Sequence, residues 1–143
     1  MPTTGKTLSI ERLFTIATPH QGSRLASLPT LDPIQKDMRP HSAFLEKLAA
    51  SKPNYQVFSY VRLGDEYVSV ESASPAGQYP WWVPASGFNR HNTSFQDMRF
   101  IADILLRLRD ETPKTIYPPS RYKKAKNLTE QSTLPVITKA VRC

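Results

Sequence analysis

Three short apolar runs, each followed at once by a proline or a glycine, constrain the fold more than any other feature of this chain. They span residues 13–18, 56–63 and 81–83. Near-continuous apolar runs of this length are typical of strands that are buried on both faces of a parallel sheet. We therefore expect an α/β fold with about three parallel strands and flanking helices.

Two helices are predicted around these strands. The first covers residues 41–50 and is closed by Pro53. The second covers 95–109 and begins with a Thr-x-x-Gln capping box, Thr93 to Gln96. Three parallel strands make a poor free-standing sheet, so we expect an incomplete sheet whose open edge lies where further strands belong. The apolar stripe of the second helix has the spacing of a core-facing helix and consists of Phe95, Met98, Ala102, Leu105 and Leu106.

The basic charge of the chain lies at its C-terminal end. Residues 113–143 carry seven Lys or Arg against one acid, a balance of +6, which leaves +1 of the total of +7 for residues 1–112. We expect a folded unit over 1–112 and a basic, disordered tail over 113–143, because the tail lacks periodic apolar residues. With this distribution, no nucleic-acid partner is expected. A binding protein that acts through the tail on nucleic acid or anionic lipid is the alternative.

Several classes of protein find no support in the sequence. No apolar run is long enough to span a bilayer, and the N-terminus lacks the apolar region of a signal peptide, so the localisation stays unknown. The only cysteine, Cys143, cannot form an intrachain disulfide. No cluster has metal-ligand spacing and no cofactor loop is present, so neither a metal nor a cofactor is expected.

An acid and a histidine follow the later strands in the order used by hydrolytic triads. Asp65 comes directly after the second run, and His91 comes after the third, ahead of the long helix. Because ligands bind beyond the carboxyl ends of parallel strands, both side chains are expected at one rim of the sheet. There the carboxylate would orient the imidazole, and the imidazole would accept a proton from a nucleophile. Glu66 and Glu71 compete with Asp65 for the role of the acid.

Four motifs, in order, resemble the lipase-like α/β-hydrolases, a group with triacylglycerol lipase-like and inositol-deacylase-like members. They are Thr18-Pro19-His20-Gln21-Gly22-Ser23, similar to a TPHxG segment; the helix after Pro40; the acid loop from Asp65 to Ala73; and His91 ahead of a helix. The resemblance covers roughly residues 8–110. It implies the C-terminal portion of an α/β-hydrolase fold, with Asp65 and His91 as the second and third members of a Ser…Asp…His triad.

The same resemblance assigns further residues to the neighbourhood of the site. Thr18, Pro19, His20 and Gly22 would lie near the catalytic centre, with His20 as a structural residue rather than the base. His41 is expected to be a solvent-facing neighbour of a helix cap. Four aromatic residues just before or beside the histidine segment are candidates for a substrate pocket, although at least one tryptophan is expected in the sheet core: Tyr79, Trp81, Trp82 and Phe88.

The expected function is that of a serine carboxylic-ester hydrolase fragment. No Gly-x-Ser-x-Gly elbow occurs in the 143 residues, so the nucleophile and the oxyanion donor beside it would come from an N-terminal hydrolase half. The isolated chain is then expected to be inactive. The partners expected for the complete enzyme are an ester or lipid substrate and that N-terminal half.

Overall fold

The computed structural model describes residues 9–29, 31–51, 53–85 and 87–112. The predicted basic tail, 113–143, lies outside the described residues. Within them, the three predicted strands are present as β1 (Arg12–Ile16), β2 (Gln56–Arg62) and β3 (Trp81–Val83). They form one parallel sheet in the order β1-β2-β3, so the predicted mixed α/β class is confirmed.

β1 ends two residues earlier than its apolar run predicts. Ala17 has a φ of 49°, in the left-handed region that residues other than glycine rarely adopt. Its N–H still donates to the carbonyl of Tyr60 on β2 at 2.8 Å, and the chain then turns away from the sheet. Thr18 and Pro19 therefore lie in a turn beyond the strand rather than at its end.

The connection from β1 to β2 contains a 3-10 turn (Arg24–Ser27) and two short helices, α1 (Pro33–Asp37) and α2 (Ala43–Ala50). The Ser42 hydroxyl caps α2 by accepting from the N–H of Leu45 at 3.2 Å. The prediction of a helix within 41–50 is thus confirmed. Its apolar residues are not buried, however, and Phe44 and Leu48 are about half exposed.

The last helix, α3 (Met98–Leu108), differs from the prediction in its start. Asp97, not Thr93, is the N-cap, and its carboxylate accepts from the N–H of Arg99 at 3.1 Å. The predicted capping box is wrong because a separate 3-10 turn (Ser94–Gln96) precedes the helix.

The buried face of α3 also differs from the predicted stripe. The buried residues are Phe100 and Asp103, and Ile104 packs with them against the sheet. Met98 and Leu105, members of the predicted stripe, are 69% and 53% exposed. α3 therefore packs on the sheet through a face that carries one aromatic residue and one acid, and its most apolar face is not the buried one.

Two clusters of buried side chains hold the sheet from opposite faces. On the α3 side, Tyr60 and Val83 pack against Phe100. On the other side, Val61 and Trp82 pack against the loop after β2, in keeping with the alternation of side chains along a strand. Because that loop covers one face of the sheet, its position is fixed by the core.

Among the described residues, none of the helices has the length and apolar character to cross a membrane.

Candidate functional site

The acid loop begins at the carboxyl end of β2 with a tight turn. Gly64 has a φ of 73°, and a Cβ built at this position would lie 2.1 Å from a guanidinium nitrogen of Arg90. One oxygen of Asp65 then accepts from the N–H groups of Tyr67 and Val68, at 2.9 and 2.8 Å. These bonds fix the carboxylate to its own loop, and the side chain of Asp65 is fully buried.

The histidine loop follows β3 and is tied to the end of β2. Asn89 has a φ of 59°, a conformation that asparagine tolerates better than most residues. The guanidinium of Arg62 donates to the hydroxyl of Thr93 at 2.7 Å, and its Nε lies 3.3 Å from the carboxylate of Asp97. Through these contacts, the strand that carries the acid loop also holds the loop that carries His91.

Asp65 and His91 lie in direct contact. Nδ1 of the imidazole is 3.0 Å from both oxygens of the carboxylate, so the expected contact between these two side chains is present. An ionised carboxylate can only accept, so a neutral imidazole carries its proton on Nδ1 and leaves Nε2 free to accept one. The His91 side chain is 28% exposed, and within the part of the chain that the structure describes no hydrogen-bond partner reaches Nε2. This arrangement can remove a proton from a group placed at Nε2.

Neither of the competing acids touches the imidazole. Glu66 instead bonds to the main chain of the histidine loop: its two oxygens accept from the N–H groups of Arg90 and His91, each at 3.1 Å. The N–H of Arg90, followed by that of His91, lowers the pKa of Glu66 below its ordinary value of 4.5. Glu71 contributes its carbonyl oxygen, which accepts from Gln21 at 2.8 Å.

The TPHxG-like segment supports the acid loop through two residues that the sequence did not single out. The side-chain amide of Gln21 donates to the carbonyls of Glu71 and Ser74, and the hydroxyl of Ser23 donates to the carbonyl of Tyr67 at 2.6 Å. Their significance depends on which loop packs beside them, so no local signal in the sequence could have revealed it.

Three of the four predicted members of this segment turn the chain after β1, and none of the hydrogen bonds among the described residues joins them to the imidazole of His91. The hydroxyl of Thr18 donates to the carbonyl of Ile16 at 3.3 Å, and the carbonyl of Pro19 accepts from the N–H of Gly22 at 3.0 Å. Gly22 has a φ of 87°, and a Cβ there would lie 2.6 Å from the backbone nitrogen of Pro40. Glycine is therefore required on both conformational and steric grounds.

His20 belongs to a separate polar cluster on the sheet. Its Nε2 lies 2.9 Å from the hydroxyl of Thr15 and 3.5 Å from that of Ser59, residues paired across β1 and β2. Burial lowers the pKa of His20 below 6.5, which favours the neutral ring. No carboxylate contacts this ring within the described ranges, so the cluster lacks the acid that His91 has.

The structure does not gather the four candidate pocket aromatics. Trp82 is buried in the core on the side of the acid loop, whereas Trp81 lies on the α3 side beneath the guanidinium of Arg107. Tyr79 is half exposed and Phe88 is almost fully exposed. The expectation of a tryptophan in the sheet core holds for Trp82, and the two tryptophans cannot line one pocket because they face opposite sides of β3.

Other features of the described residues add no second centre. No group of histidine, cysteine, aspartate and glutamate there could hold a metal ion. A shallow groove beside Arg12 and Tyr55 lies at the amino ends of β1 and β2, the opposite end of the sheet from Asp65.

No protein-family model, curated protein or solved structure matches this chain. The candidate site is therefore defined by its own geometry: a buried carboxylate, an imidazole that it orients, and two loops joined by hydrogen bonds.

Proposed function

We propose that His91 is the general base of a serine carboxylic-ester hydrolase and that Asp65 is the acid that orients it. One observation carries the proposal: a fully buried carboxylate lies 3.0 Å from Nδ1 of an imidazole that is 28% exposed. Burial and two backbone hydrogen bonds hold the acid in place, while the exposure of the ring leaves room for a reacting group. This combination is what a triad needs from its acid and its base.

In the proposed reaction, a serine hydroxyl gives its proton to Nε2 of His91 as its oxygen attacks the ester carbonyl. The carboxylate of Asp65 stabilises the imidazolium that forms. Nε2 then protonates the departing alcohol, which leaves an acyl-serine ester. Water enters, His91 takes one of its protons, and the carboxylic acid is released as the serine is regenerated.

The nucleophile in this proposal comes from a companion polypeptide segment, because the 143 residues contain no Gly-x-Ser-x-Gly elbow. We propose that this segment adds strands to the sheet and completes an α/β-hydrolase fold. Two observations support it. β1 is an edge strand of the described sheet, and the four motifs run in the order found in the lipase-like hydrolases. The substrate class that this resemblance favours is a carboxylic ester or a lipid.

The experiment that tests the proposal compares the chain alone with the chain joined to the reading frame encoded upstream of Met1. Hydrolysis of short- and long-chain p-nitrophenyl esters is measured for both forms. We expect activity only in the joined form, and we expect His91→Ala to abolish it. His41→Ala is the matched control, since His41 is exposed and lies outside the site.

Two outcomes would overturn the proposal. One is ester hydrolysis by the joined form that survives His91→Ala. The other is an upstream sequence without a serine elbow together with an inactive joined form. Salt-dependent binding to RNA or to anionic vesicles in that second case would support the alternative, a binding protein that acts through residues 113–143.

A further inference from the structure

We propose that Glu66 is a positioning residue for His91: its carboxylate holds the main chain of the histidine loop while Asp65 holds the ring. The inference rests on the role proposed above for His91. It assigns a separate task to each of two consecutive acids, which the sequence alone left as competitors for one task.

The geometry of the carboxylate supports this division. Oε1 of Glu66 accepts from the N–H of Arg90 and Oε2 accepts from the N–H of His91, both at 3.1 Å. The positive φ of Asn89, 59°, turns the chain so that the next two amides reach the same anion. Successive N–H groups that converge in this way form an anion-binding concavity, which a carboxylate fills.

Three consecutive residues thus contact His91 in three different ways. Asp65 binds Nδ1 of the ring, Glu66 binds the main-chain N–H, and the ring of Tyr67 packs against the imidazole with centroids 4.9 Å apart. The loop amides hold the carboxylate of Asp65 in place, so the three contacts with His91 come from one ordered loop. A ring held only through Nδ1 could still pivot about that bond, and a tie at the main chain removes this freedom.

The charge of Glu66 matters to this contact. The guanidinium Nε of Arg90 lies 3.4 Å from Oε1, and the two backbone N–H groups favour the ionised carboxylate. A glutamine here would offer only one oxygen, and its NH₂ group would face a second N–H donor. Glu66→Gln therefore removes half of the contact and sets two donors against each other, with almost no change in side-chain volume.

The fold does not depend on this contact alone. The histidine loop is also held by Arg62, which donates to Thr93, and by Ser94, whose hydroxyl donates to the carbonyl of Arg90 at 2.6 Å. Glu66→Gln is therefore expected to fold and to loosen the orientation of the imidazole. Misplacement of a catalytic group by about 1 Å can cost on the order of a hundredfold in rate.

Nuclear magnetic resonance of the ¹⁵N-histidine-labelled chain tests the inference. The signature is the Nδ1–H resonance of His91, which the bond to Asp65 protects from exchange with water. We expect Glu66→Gln to accelerate this exchange by roughly tenfold or more, because exchange follows local opening and a lost hydrogen bond to a charged group shifts such an opening by about that factor. Glu71→Gln, which neutralises an exposed acid in the same loop, is the matched control and should leave the exchange rate unchanged.

Asp65→Asn separates this inference from the proposed function. If Asp65→Asn leaves the Nδ1–H resonance unaltered, the proposed Asp65–His91 pair is wrong. If Asp65→Asn removes that resonance while Glu66→Gln behaves like Glu71→Gln, only the positioning role of Glu66 is overturned.

A measurement on the unaltered chain covers the case in which Glu66→Gln does not fold. Acidification protonates Glu66 below its ordinary pKa of 4.5, because its backbone partners lower that pKa. The amide resonances of Arg90 and His91 should then shift with the same midpoint as the carboxyl carbon of Glu66. Amide shifts that instead follow the carboxyl carbon of Asp65 would overturn the inference.

Discussion

The hydroxyl of Tyr60 donates to the carboxylate of Asp103 at 2.6 Å, and both residues are fully buried. Arg107 is the third member of this group, and its Nε–H donates to the same carboxylate oxygen at 2.7 Å. Its guanidinium also lies over the rings of Phe58 and Trp81, at 4.8 and 4.1 Å from their centroids. A polar network thus joins the centre of the sheet to α3.

Tyr60→Phe should destabilise the fold because it removes a donor from a buried carboxylate. The expected loss in the free energy of unfolding is about 1.5–3 kcal/mol, the range for hydrogen bonds to charged groups. Tyr79→Phe removes the same hydroxyl from a half-exposed ring and should change stability by less than about 0.5 kcal/mol. Urea denaturation measures both variants. Equal effects would mean that the hydrogen bond from Tyr60 to Asp103 does not stabilise the fold.

The orientation of α3 gives a second prediction. Phe100→Ala should lower the free energy of unfolding by about 3–5 kcal/mol, since the ring is fully buried. Leu105→Ala should lower it by less than about 1 kcal/mol, since that side chain is 53% exposed. Thermal and urea denaturation can rank the two variants. A larger loss for Leu105→Ala would show that the apolar stripe, rather than the observed face, packs on the sheet.

The sequence predicted the positions of the strands and helices better than it predicted which face of α3 is buried. Apolar runs placed the three strands, because the central strand β2 is buried on both faces and its neighbours pack beside it, although every residue of the edge strand β1 is only partly buried. The spacing of apolar residues mispredicted the buried face of α3. Asp103 is buried there because Tyr60 and Arg107 donate hydrogen bonds to its carboxylate, and hydrophobic periodicity cannot reveal such partners. Which residues of the helix are exposed and which are buried depends on the residues that pack against it.

The candidate site shows the same division. The contact between Asp65 and His91 was predictable because both follow strands whose carboxyl ends meet at one rim. The contact between Glu66 and the histidine loop was not predictable, since it depends on the turn at Gly64 and on the left-handed Asn89. Backbone conformations of this kind depend on tertiary packing and leave only weak local signals.

Gly22 gives a prediction about the segment that supports the acid loop. Gly22→Ala combines a strained φ of 87° with a Cβ 2.6 Å from backbone nitrogen, so backbone atoms must move. Gly77→Ala is the control, because Gly77 has a φ of 81° but open space around its Cβ. Conformational strain of about 1–2 kcal/mol applies to both, and overpacking should add about 1–3 kcal/mol at Gly22 only. Equal losses on urea denaturation would contradict this fit.

His20 should make the stability of the fold depend on pH. Its folded pKa is lowered below 6.5 by burial, so the unfolded chain takes up a proton at a higher pH than the folded chain. The stability that His20 contributes is therefore present above 6.5 and is lost as pH falls through its folded pKa. His20→Gln keeps a donor near Thr15 and cannot titrate.

The expected result is a flatter dependence of the free energy of unfolding on pH for His20→Gln, between about pH 7 and pH 5. His41→Asn removes an exposed histidine whose φ of 61° asparagine tolerates, and it should keep the slope of the unaltered chain. If both variants retain the full slope, His20 is not the residue responsible.

Asp65→Asn should inactivate the hydrolase that we propose by reversing the tautomer of His91. Oδ1 of Asp65 is held by the N–H groups of Tyr67 and Val68, so the oxygen of an asparagine would stay at those amides. Its NH₂ group would then take the position of Oδ2 and donate to Nδ1 of His91. The proton of a neutral imidazole would move to Nε2, where it blocks the acceptance of a proton from the nucleophile.

The ¹⁵N spectrum of the isolated chain should show this reversal directly, with Nε2 becoming the protonated nitrogen. In the enzyme joined to its serine-bearing segment, kcat should fall by about 10⁴-fold, the loss known for the same change in a serine-protease triad. KM should change little, because Asp65 is buried and cannot reach the substrate. An Asp65→Asn enzyme with the proton still on Nδ1 and most of its kcat would show that the carboxylate does not set the state of the base.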